Sequence, residues 1–274
     1  MRPGIFGRTF PGGDPATVLD RVAAAGFASV HWSMASAGLQ AMPDAVPEGF
    51  AQRMAGLAAE RGLAIAGVSG TFNMIHPDPA ERERGLARLG VVVAAASAMG
   101  APVVTLCTGT RDPDDQWRAH PANSRPEAWA DLLAAMGRAV ALAEAAGLRL
   151  GIEPELANVV DTPAAARRLI DAMGSPALAV VLDPANLFEA VPEPAVLRDR
   201  IARAVDLLAD RIVMVHAKDR DAAGAVVAAG RGVVDFGHFS SVLRAAGVKG
   251  DVVAHGLAPE EAPAVARLLR ETFG

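Results

Sequence analysis

Short apolar segments alternate with longer amphipathic segments along the whole chain. Runs rich in Val, Ile, Leu and Ala predict eight buried strands. These strands are expected near residues 3–7, 27–32, 63–69, 102–107, 148–154, 178–183, 211–216 and 251–255. The segments between them predict helices, and a last helix is expected from about 259 to 272. Such alternation predicts parallel strand pairing through right-handed crossovers.

Glycines and capping residues mark where the predicted helices end and begin. A Gly stands between an Ala-rich segment and the next strand at positions 26, 62, 100, 147, 174 and 247, where a left-handed conformation closes a helix. Asp14-Pro15, Asp78-Pro79 and Thr162-Pro163 each place a capping side chain before Pro, which predicts a helix start. Ser124 and Glu127 predict a capping box. The helix after it has its buried face at Trp129, Leu132, Leu133, Met136, Val140 and Ala143.

Eight strand–helix units predict an α/β fold, a (β/α)8 TIM barrel in a single domain that spans residues 1–274. A barrel of this kind takes about 250 residues, which agrees with the chain length. An open doubly wound sheet is the alternative. The first strand is not followed by a G-x-G-x-x-G turn, so the barrel is favoured.

The composition narrows the classes of partner. The net charge of −5 gives no footprint for nucleic acid or for an anionic membrane, so a small molecule is the expected partner. No charge falls between Arg88 and Arg111, but Gly100 and Pro102 interrupt this stretch, which favours a buried helix and strand over a membrane span. No signal peptide is visible and Cys107 is the single cysteine, so we expect a cytoplasmic protein. Assembly into a homo-oligomer is a further possibility that the sequence does not decide.

Four strands in the second half of the chain end in side chains that bind metals. Glu153, Asp183, His216 and His255 each follow an apolar run. The carboxyl ends of barrel strands form the rim where active sites lie, so the four side chains predict a site for one divalent ion. Each residue also has a simpler explanation, such as a turn cap at Pro184 for Asp183.

Further polar residues follow these strand ends. Glu155 lies two residues after Glu153, about 6.6 Å along an extended strand, and points to the same side. Lys218, one of two lysines, is expected either to steady a developing oxyanion or to face solvent. Asp219 is expected to hold an imidazole or an ammonium in place.

The loops supply candidate substrate-binding residues. Asn158 either binds a substrate hydroxyl or caps a turn, and Asn186 either holds a ligand oxygen or lies in a tight loop. Side chains near the other strand ends are candidates for pocket lining: His31, Trp32, Asn73, His76, Trp117 and His120.

The chain resembles the sugar phosphate isomerase/epimerase family of the xylose-isomerase-like barrel superfamily, nearly from end to end. The resemblance is most specific at Ile152-Glu153-Pro154, Leu182-Asp183, His216-Ala-Lys218-Asp219 and Gly230-Arg-Gly-Val-Val-Asp235-Phe236. It implies one divalent ion (Mn, Mg, Co or Zn) held by Glu153, Asp183 and His216, with His255 at a fourth position where the better-known epimerases have Glu. It also implies Arg231 as a substrate-binding residue and a carbohydrate-like substrate.

The family mechanism is proton abstraction beside a carbonyl, with an enediolate intermediate. Glu153 or Glu155 is expected to be the base and Lys218 to assist. Inverting a carbon needs acid/base groups on opposite faces, and the epimerases use two ligand glutamates for this. With His at 255 one carboxylate is absent, which favours an aldose–ketose isomerase over an epimerase.

Other functions remain alternatives. A metal-dependent dehydratase or lyase shares the barrel and the proton abstraction, and a metal-free binding barrel is a third candidate. An endonuclease of the abasic-site type would need three zinc ions, and six histidines and an acidic chain speak against it. The fold alone does not choose among these functions.

Overall fold

Eight parallel strands close into a barrel in the computed structural model, which describes residues 1–274. β1 pairs with β2 on one side and with β9 on the other, so the two ends of the chain complete the barrel. The barrel strands are β1 (Arg2–Phe6), β2 (Ser29–Trp32), β3 (Ala64–Ser69), β4 (Val103–Leu106), β5 (Arg149–Ile152), β6 (Leu178–Leu182), β7 (Ile212–Arg220) and β9 (Asp251–Ala254). A short strand, β8 (Val226–Ala228), pairs antiparallel with the end of β7.

Eight helices alternate with the barrel strands. They are α1 (Pro15–Ala24), α2 (Phe50–Glu60), α3 (Pro79–Ala98), α4 (Pro126–Ala145), α5 (Pro163–Met173), α6 (Pro194–Leu208), α7 (Phe236–Ala245) and α8 (Ala262–Phe273). Short 3-10 turns lie at Gly7–Thr9, Met34–Ala37, Pro121–Ser124, Pro184–Asn186 and Pro259–Glu261. The predicted (β/α)8 barrel is confirmed.

The predicted helix ends agree closely with the structure. All six glycines between a helix and a strand have φ between +62° and +90°, the left-handed conformation that L side chains rarely adopt. Asp14, Asp78 and Thr162 each accept a hydrogen bond from a backbone N–H of the helix that they precede. Local chemistry therefore sets these boundaries.

Two local predictions were wrong. The capping box at Ser124 does not form, because Ser124 ends a 3-10 turn and its hydroxyl donates to Pro121 O; α4 begins at Pro126, whose fixed φ suits the first helical position. β7 does not end at His216 but continues to Arg220, because its last residues pair with β8.

Two apolar layers stabilise the barrel. The larger core lies between the strands and the helices and contains 69 buried residues. A smaller cluster of Ala66, Val103, Val181, Met214 and Val253 fills the space inside the barrel. None of the helices combines the length and the apolar character that a membrane crossing requires.

A buried carboxylate joins the two ends of the chain at the amino end of the barrel. Asp251 is 5% exposed and accepts hydrogen bonds from the Arg2 guanidinium at 2.7 and 2.9 Å and from Ser29 Oγ at 2.6 Å. Charge-assisted bonds of this kind are about twice as strong as neutral ones.

We expect Asp251→Ala to lower the free energy of unfolding by about 2 kcal/mol, because the buried Ser29 hydroxyl and the Arg2 guanidinium would lose their acceptor. Urea denaturation measures the change. Asp210→Ala is the control, since Asp210 is 62% exposed and its ion pair with Arg167 is open to solvent; a change below about 0.5 kcal/mol is expected there. Equal losses in the two variants would contradict the role of Asp251.

Candidate active site at the carboxyl rim of the barrel

Four ligand-type side chains meet where strands β5, β6, β7 and β9 reach the carboxyl rim. They are Glu153, Asp183, His216 and His255, and each offers one nitrogen or oxygen atom, all within 4.8 Å of one another. Glu153, Asp183 and His255 directly follow their strands, and His216 lies within β7. The sequence thus brings together the four residues that its strand ends singled out.

The two carboxylates are each held by cationic or imidazole groups. Asp183 Oδ2 lies 3.0 Å from Lys218 Nζ and 3.3 Å from His255 Nε2, and Asp183 Oδ1 accepts from Ala185 N–H at 2.9 Å. Glu153 Oε1 lies 3.1 Å from His216 Nδ1. The side chain of Asp183 has no exposed surface, so these contacts replace all of its hydration.

Asn186 connects the remaining polar groups of the site. Its Nδ2 donates to Glu153 Oε1 at 3.1 Å, to Glu155 Oε2 at 3.0 Å and to Pro154 O at 3.1 Å, while its Oδ1 accepts from Lys218 Nζ at 2.7 Å. The amide is therefore fully engaged with protein groups. Asn186 does not line the cavity described below, and it acts on the site by positioning the neighbouring side chains.

The carboxylates of the site differ in their protonation. Burial alone would raise the pKa of Asp183 and of Glu153, but Lys218 and His255 for Asp183, and His216 and Lys218 for Glu153, lower both pKa values below the usual range. Burial raises the pKa of Glu155, because Lys218 offsets the effect only in part. Glu155 is therefore the most basic carboxylate of the three.

The basic groups are tuned in opposite directions. Burial would lower the pKa of Lys218, but Asp183 and the two glutamates raise it well above its ordinary value. Burial would also lower the pKa of His216, and the charge of Glu153 outweighs that effect and raises it. Burial and the neighbouring His216 lower the pKa of His255. An imidazole with a lowered pKa is neutral at pH 7, which is the form that binds metals.

The donor set fits a divalent cation. Two carboxylates and two imidazoles suit Mn, Co or Zn, and ligands on opposite sides of an ion with bonds of about 2.1 Å lie about 4.2 Å apart, close to the observed spread. His216 Nε2 is buried and has no hydrogen-bond partner. With Glu155 included, three carboxylates face one ammonium, so a divalent cation would balance the charge of the site.

A cavity of about 240 Å³ opens above the cluster. Glu153, Glu155, His216, Lys218 and His255 line it. The remaining lining comes from Phe6, Arg8, His31, Ala41, Ser69, Thr71, Thr105, Cys107, Gln116 and Trp117. Fifteen residues line the cavity, and eleven of them are polar or charged, which suits a small polar ligand.

The first strands of the barrel contribute residues that the sequence left weakly marked or unmarked. His31 lies in β2, donates to or accepts from Thr105 Oγ1 through Nε2 at 2.9 Å, and stacks on Phe6 with ring centroids 4.7 Å apart. Phe6, Arg8 and Gln116 carried no signal in the sequence, because an aromatic, a cation or an amide after a strand is common without a ligand. The barrel brings all three to the lining of the cavity that also contains Glu155.

His76 and His120 do not line the cavity, although both were candidates for it. His76 Nδ1 accepts from Asp78 N–H at 3.1 Å, and its Nε2 lies 3.0 Å from Pro113 O. His120 Nδ1 accepts from Ala122 N–H at 3.2 Å and so caps a 3-10 turn. His120 therefore completes a local turn, and His76 joins its own turn to the loop after β4.

Among the other candidates from the loops, only Trp117 reaches the cavity. Asn158 is buried and its Oδ1 accepts from Gly109 N–H at 2.8 Å, so it fixes the loop after β4. Asn73 does the same through Thr110 N–H at 3.0 Å. Trp117 is 52% exposed and lies at the mouth of the cavity.

Asp219 points away from the metal-type cluster. Its carboxylate accepts from the backbone N–H groups of Gly230, Gly232 and Val234 at 2.9–3.1 Å and is completely buried. It therefore fixes the loop that carries Arg231 and does not hold an imidazole or an ammonium. Arg231 lines a neighbouring groove.

The model of the family described as "Xylose isomerase-like TIM barrel" matches residues 19–272. Solved structures with the same fold include the 3-keto-D-glucoside 4-epimerase of E. coli, at 17% identity and a TM-score of 0.77, with 99% of each chain covered. Another is the D-psicose 3-epimerase of Clostridium cellulolyticum, at 15% identity and a TM-score of 0.75, with 100% of this chain and 99% of that one covered. An L-ribulose 3-epimerase has 20% identity and a TM-score of 0.73, with coverage of 98% and 92%. No curated protein sequence matches the chain.

We expect Asn186→Ala to lower the free energy of unfolding by about 2 kcal/mol, because buried Lys218 and the partly buried Glu153 and Glu155 would lose a shared partner. Chemical denaturation measures the loss. Gln52→Ala, at an exposed position of α2, is the control and should change stability by less than about 0.5 kcal/mol. A stable Asn186→Ala protein would show that the amide is not needed to hold the cluster.

Proposed function

The chain belongs to the xylose isomerase-like TIM barrel family, and from this premise we propose that it is a divalent-metal-dependent isomerase or epimerase of a keto or aldo sugar or a related polyol. The observation that carries the proposal is that Glu155 and Lys218 line one small cavity together with Glu153, His216 and His255, three of the four ligand-type side chains, with Asp183 buried beside them. The relatives that are sugar epimerases by name support the substrate class and the reaction type.

Glu153, Asp183, His216 and His255 would hold one divalent ion, with Mn, Mg, Co and Zn as the candidates. When bound, such an ion polarises adjacent carbonyl and hydroxyl oxygens of a substrate, which acidifies the C–H bond beside the carbonyl. Asp183 is ionised at neutral pH and is therefore an anionic ligand, because Lys218 and His255 keep its pKa low despite its burial.

Glu155 is the favoured base. Its carboxylate lines the cavity, lies outside the group of four, and has a raised pKa that makes it a better proton acceptor than Glu153. The hydrogen bond from Asn186 Nδ2 to Oε2 fixes its orientation and leaves Oε1 for the substrate proton. Glu153 is less available to accept a substrate proton, because its Oε1 already contacts both His216 and Asn186.

Lys218 supplies positive charge where negative charge develops on a substrate oxygen. An ammonium has three N–H donors, and two of them are directed at Asp183 and Asn186. The third is free to donate into the cavity that Lys218 lines. Because these two contacts hold the ammonium in place, it needs little reorganisation during the reaction.

The position of the carboxylates favours isomerisation over epimerisation. Glu153 and Glu155 both follow β5 and therefore reach a substrate from one side. Moving a proton between adjacent carbons requires a base on one face only, whereas inversion of a carbon requires groups on both faces. The same one-sided abstraction followed by loss of a leaving group would give a dehydratase or lyase, so the products must be identified.

Exchange of the α-proton in D₂O tests the base. With keto and aldo sugars and added Mn²⁺, we expect Glu155→Gln to slow exchange by a factor of about 100 or more, since a positioned base contributes at least this much. Glu127→Gln, at an exposed position of α4, is the control and should exchange at the wild-type rate. If Glu155→Gln and Glu153→Gln both kept the wild-type rate, the base would lie elsewhere.

Calorimetric titration with Mn²⁺ tests the metal site. Asp183→Ala should weaken binding by a factor of at least about 100, because loss of a supporting residue alone typically costs 10- to 100-fold. Asp161→Ala, an exposed acid in the loop after β5, should bind as the wild type does. Unchanged affinity in Asp183→Ala would exclude the proposed site.

His255→Glu should shift the metal preference of the site towards Mg²⁺ and raise the ratio of epimerised to isomerised product.

A further inference from the structure

A second cavity, of about 650 Å³, adjoins the first. Phe6, Arg8 and His255 line both cavities, so the two spaces meet at these residues. We call the second space the outer groove. The residues that follow β1, the strand β8, and the loop after β9 form its walls, and the outer groove opens to solvent at the carboxyl rim.

Two guanidinium groups of the outer groove have no protein partner. Arg8 and Arg231 are exposed and form neither an ion pair nor a side-chain hydrogen bond within the chain. Other arginines close to the site are engaged: Arg118 binds Asp112 at 2.6 and 2.7 Å, and Arg220 donates to two backbone carbonyls at 2.9 Å.

The outer groove carries a net positive charge. Glu261 is its only carboxylate, and Glu261 Oε2 accepts from Ala258 N–H at 2.9 Å. Two guanidinium groups therefore face one carboxylate that is already engaged. A planar guanidinium matches carboxylate and phosphate oxygens with paired N–H donors, which gives a preference for anions of this shape.

The fold fixes the position of Arg231. Asp219 is buried and holds the loop through three backbone N–H groups, and Arg231 N–H donates to Ala228 O at 3.0 Å. A Cβ on Gly232 would lie 2.0 Å from Arg220 O, so only glycine fits beside this turn. A loop held this firmly presents Arg231 to the outer groove with little loss of entropy on binding.

We propose that the outer groove binds an anionic group, a phosphate or a carboxylate, at the end of the substrate remote from its reacting carbons. We call the 240 Å³ cavity that Glu155 and Lys218 line the inner cavity. The substrate is then an anionic sugar, with its carbonyl end in the inner cavity and its charged end between Arg8 and Arg231. This inference rests on the proposed function for the reaction but not for the binding of the anion, and the two can be tested separately.

The kinetic test compares α-proton exchange of D-fructose, D-fructose 6-phosphate and D-fructuronate in D₂O with added Mn²⁺. At least one anionic sugar should exceed D-fructose in kcat/KM by about 10-fold or more, and the better of the two identifies phosphate or carboxylate as the bound group. Arg8→Ala and Arg231→Ala should each reduce this ratio by about 10-fold, mainly through KM. Glu261→Gln should raise it.

Arg125→Ala is the matched control, because Arg125 is exposed, forms no ion pair and lines a different cleft of the rim. It should leave the ratio unchanged. A wild-type ratio near one, or a ratio that neither Arg8→Ala nor Arg231→Ala reduces, would overturn the anionic substrate.

Calorimetric titration with inorganic phosphate and with acetate tests anion binding in the outer groove separately from the proposed isomerase reaction. One of the two anions should bind the wild type, and each arginine variant should weaken its binding by about 10-fold. If neither anion binds, or if binding does not depend on Arg8 and Arg231, the outer groove is refuted even where neutral sugars exchange. If binding depends on both arginines but neither these three ketoses nor the wider set of keto and aldo sugars exchanges, the outer groove stands and the proposed isomerase fails.

Discussion

The ionised Asp183 carboxylate, buried without any exposed surface, is the constraint on which the site depends. A charge in this position is costly unless other groups replace its hydration, and Lys218, His255 and the Ala185 N–H do so. Lys218 in turn requires Asn186, and Asn186 orients Glu155. The arrangement of the proposed base is thus a consequence of neutralising one carboxylate at the end of β6.

One strand serves both the inner cavity and the outer groove. Side chains alternate between the two sides of β7, so His216 and Lys218 line the cavity while Ala217 joins the outer core and Asp219 fixes the loop of Arg231. The extension of β7 beyond His216 continues this alternation, and β8 stabilises it by pairing with Lys218–Arg220. The geometry of both spaces therefore depends on one register.

Local signals in the sequence predicted the barrel and the four ligand-type residues. Six glycines marked the ends of helices, and four apolar runs were followed by Glu153, Asp183, His216 and His255. Because the strands are parallel, their carboxyl ends all lie on the same rim of the barrel, which brings these four side chains together. The roles of loop residues escaped prediction, because a ring such as His120 serves a turn or a ligand with the same sequence around it. His120 accepts from a backbone N–H two residues away, a contact that the residue types alone do not reveal.

Long-range closure explains why Phe6 and Arg8 carried no signal. β1 pairs with β9, so Phe6 at the end of β1 and Arg8 just after it line the same cavity walls as His255, which is far away in the chain. The proposed chemistry depends on residues within β7 and directly after β5, β6 and β9, whereas the proposed recognition of the far end of a substrate depends on Arg8 and Arg231. Because neither arginine contacts the Asp183 network, substitutions there would alter substrate choice without unbalancing the buried charges. The solved structures with this fold are only 15–20% identical to the chain and have different sugars in their names, and one fold can carry many functions.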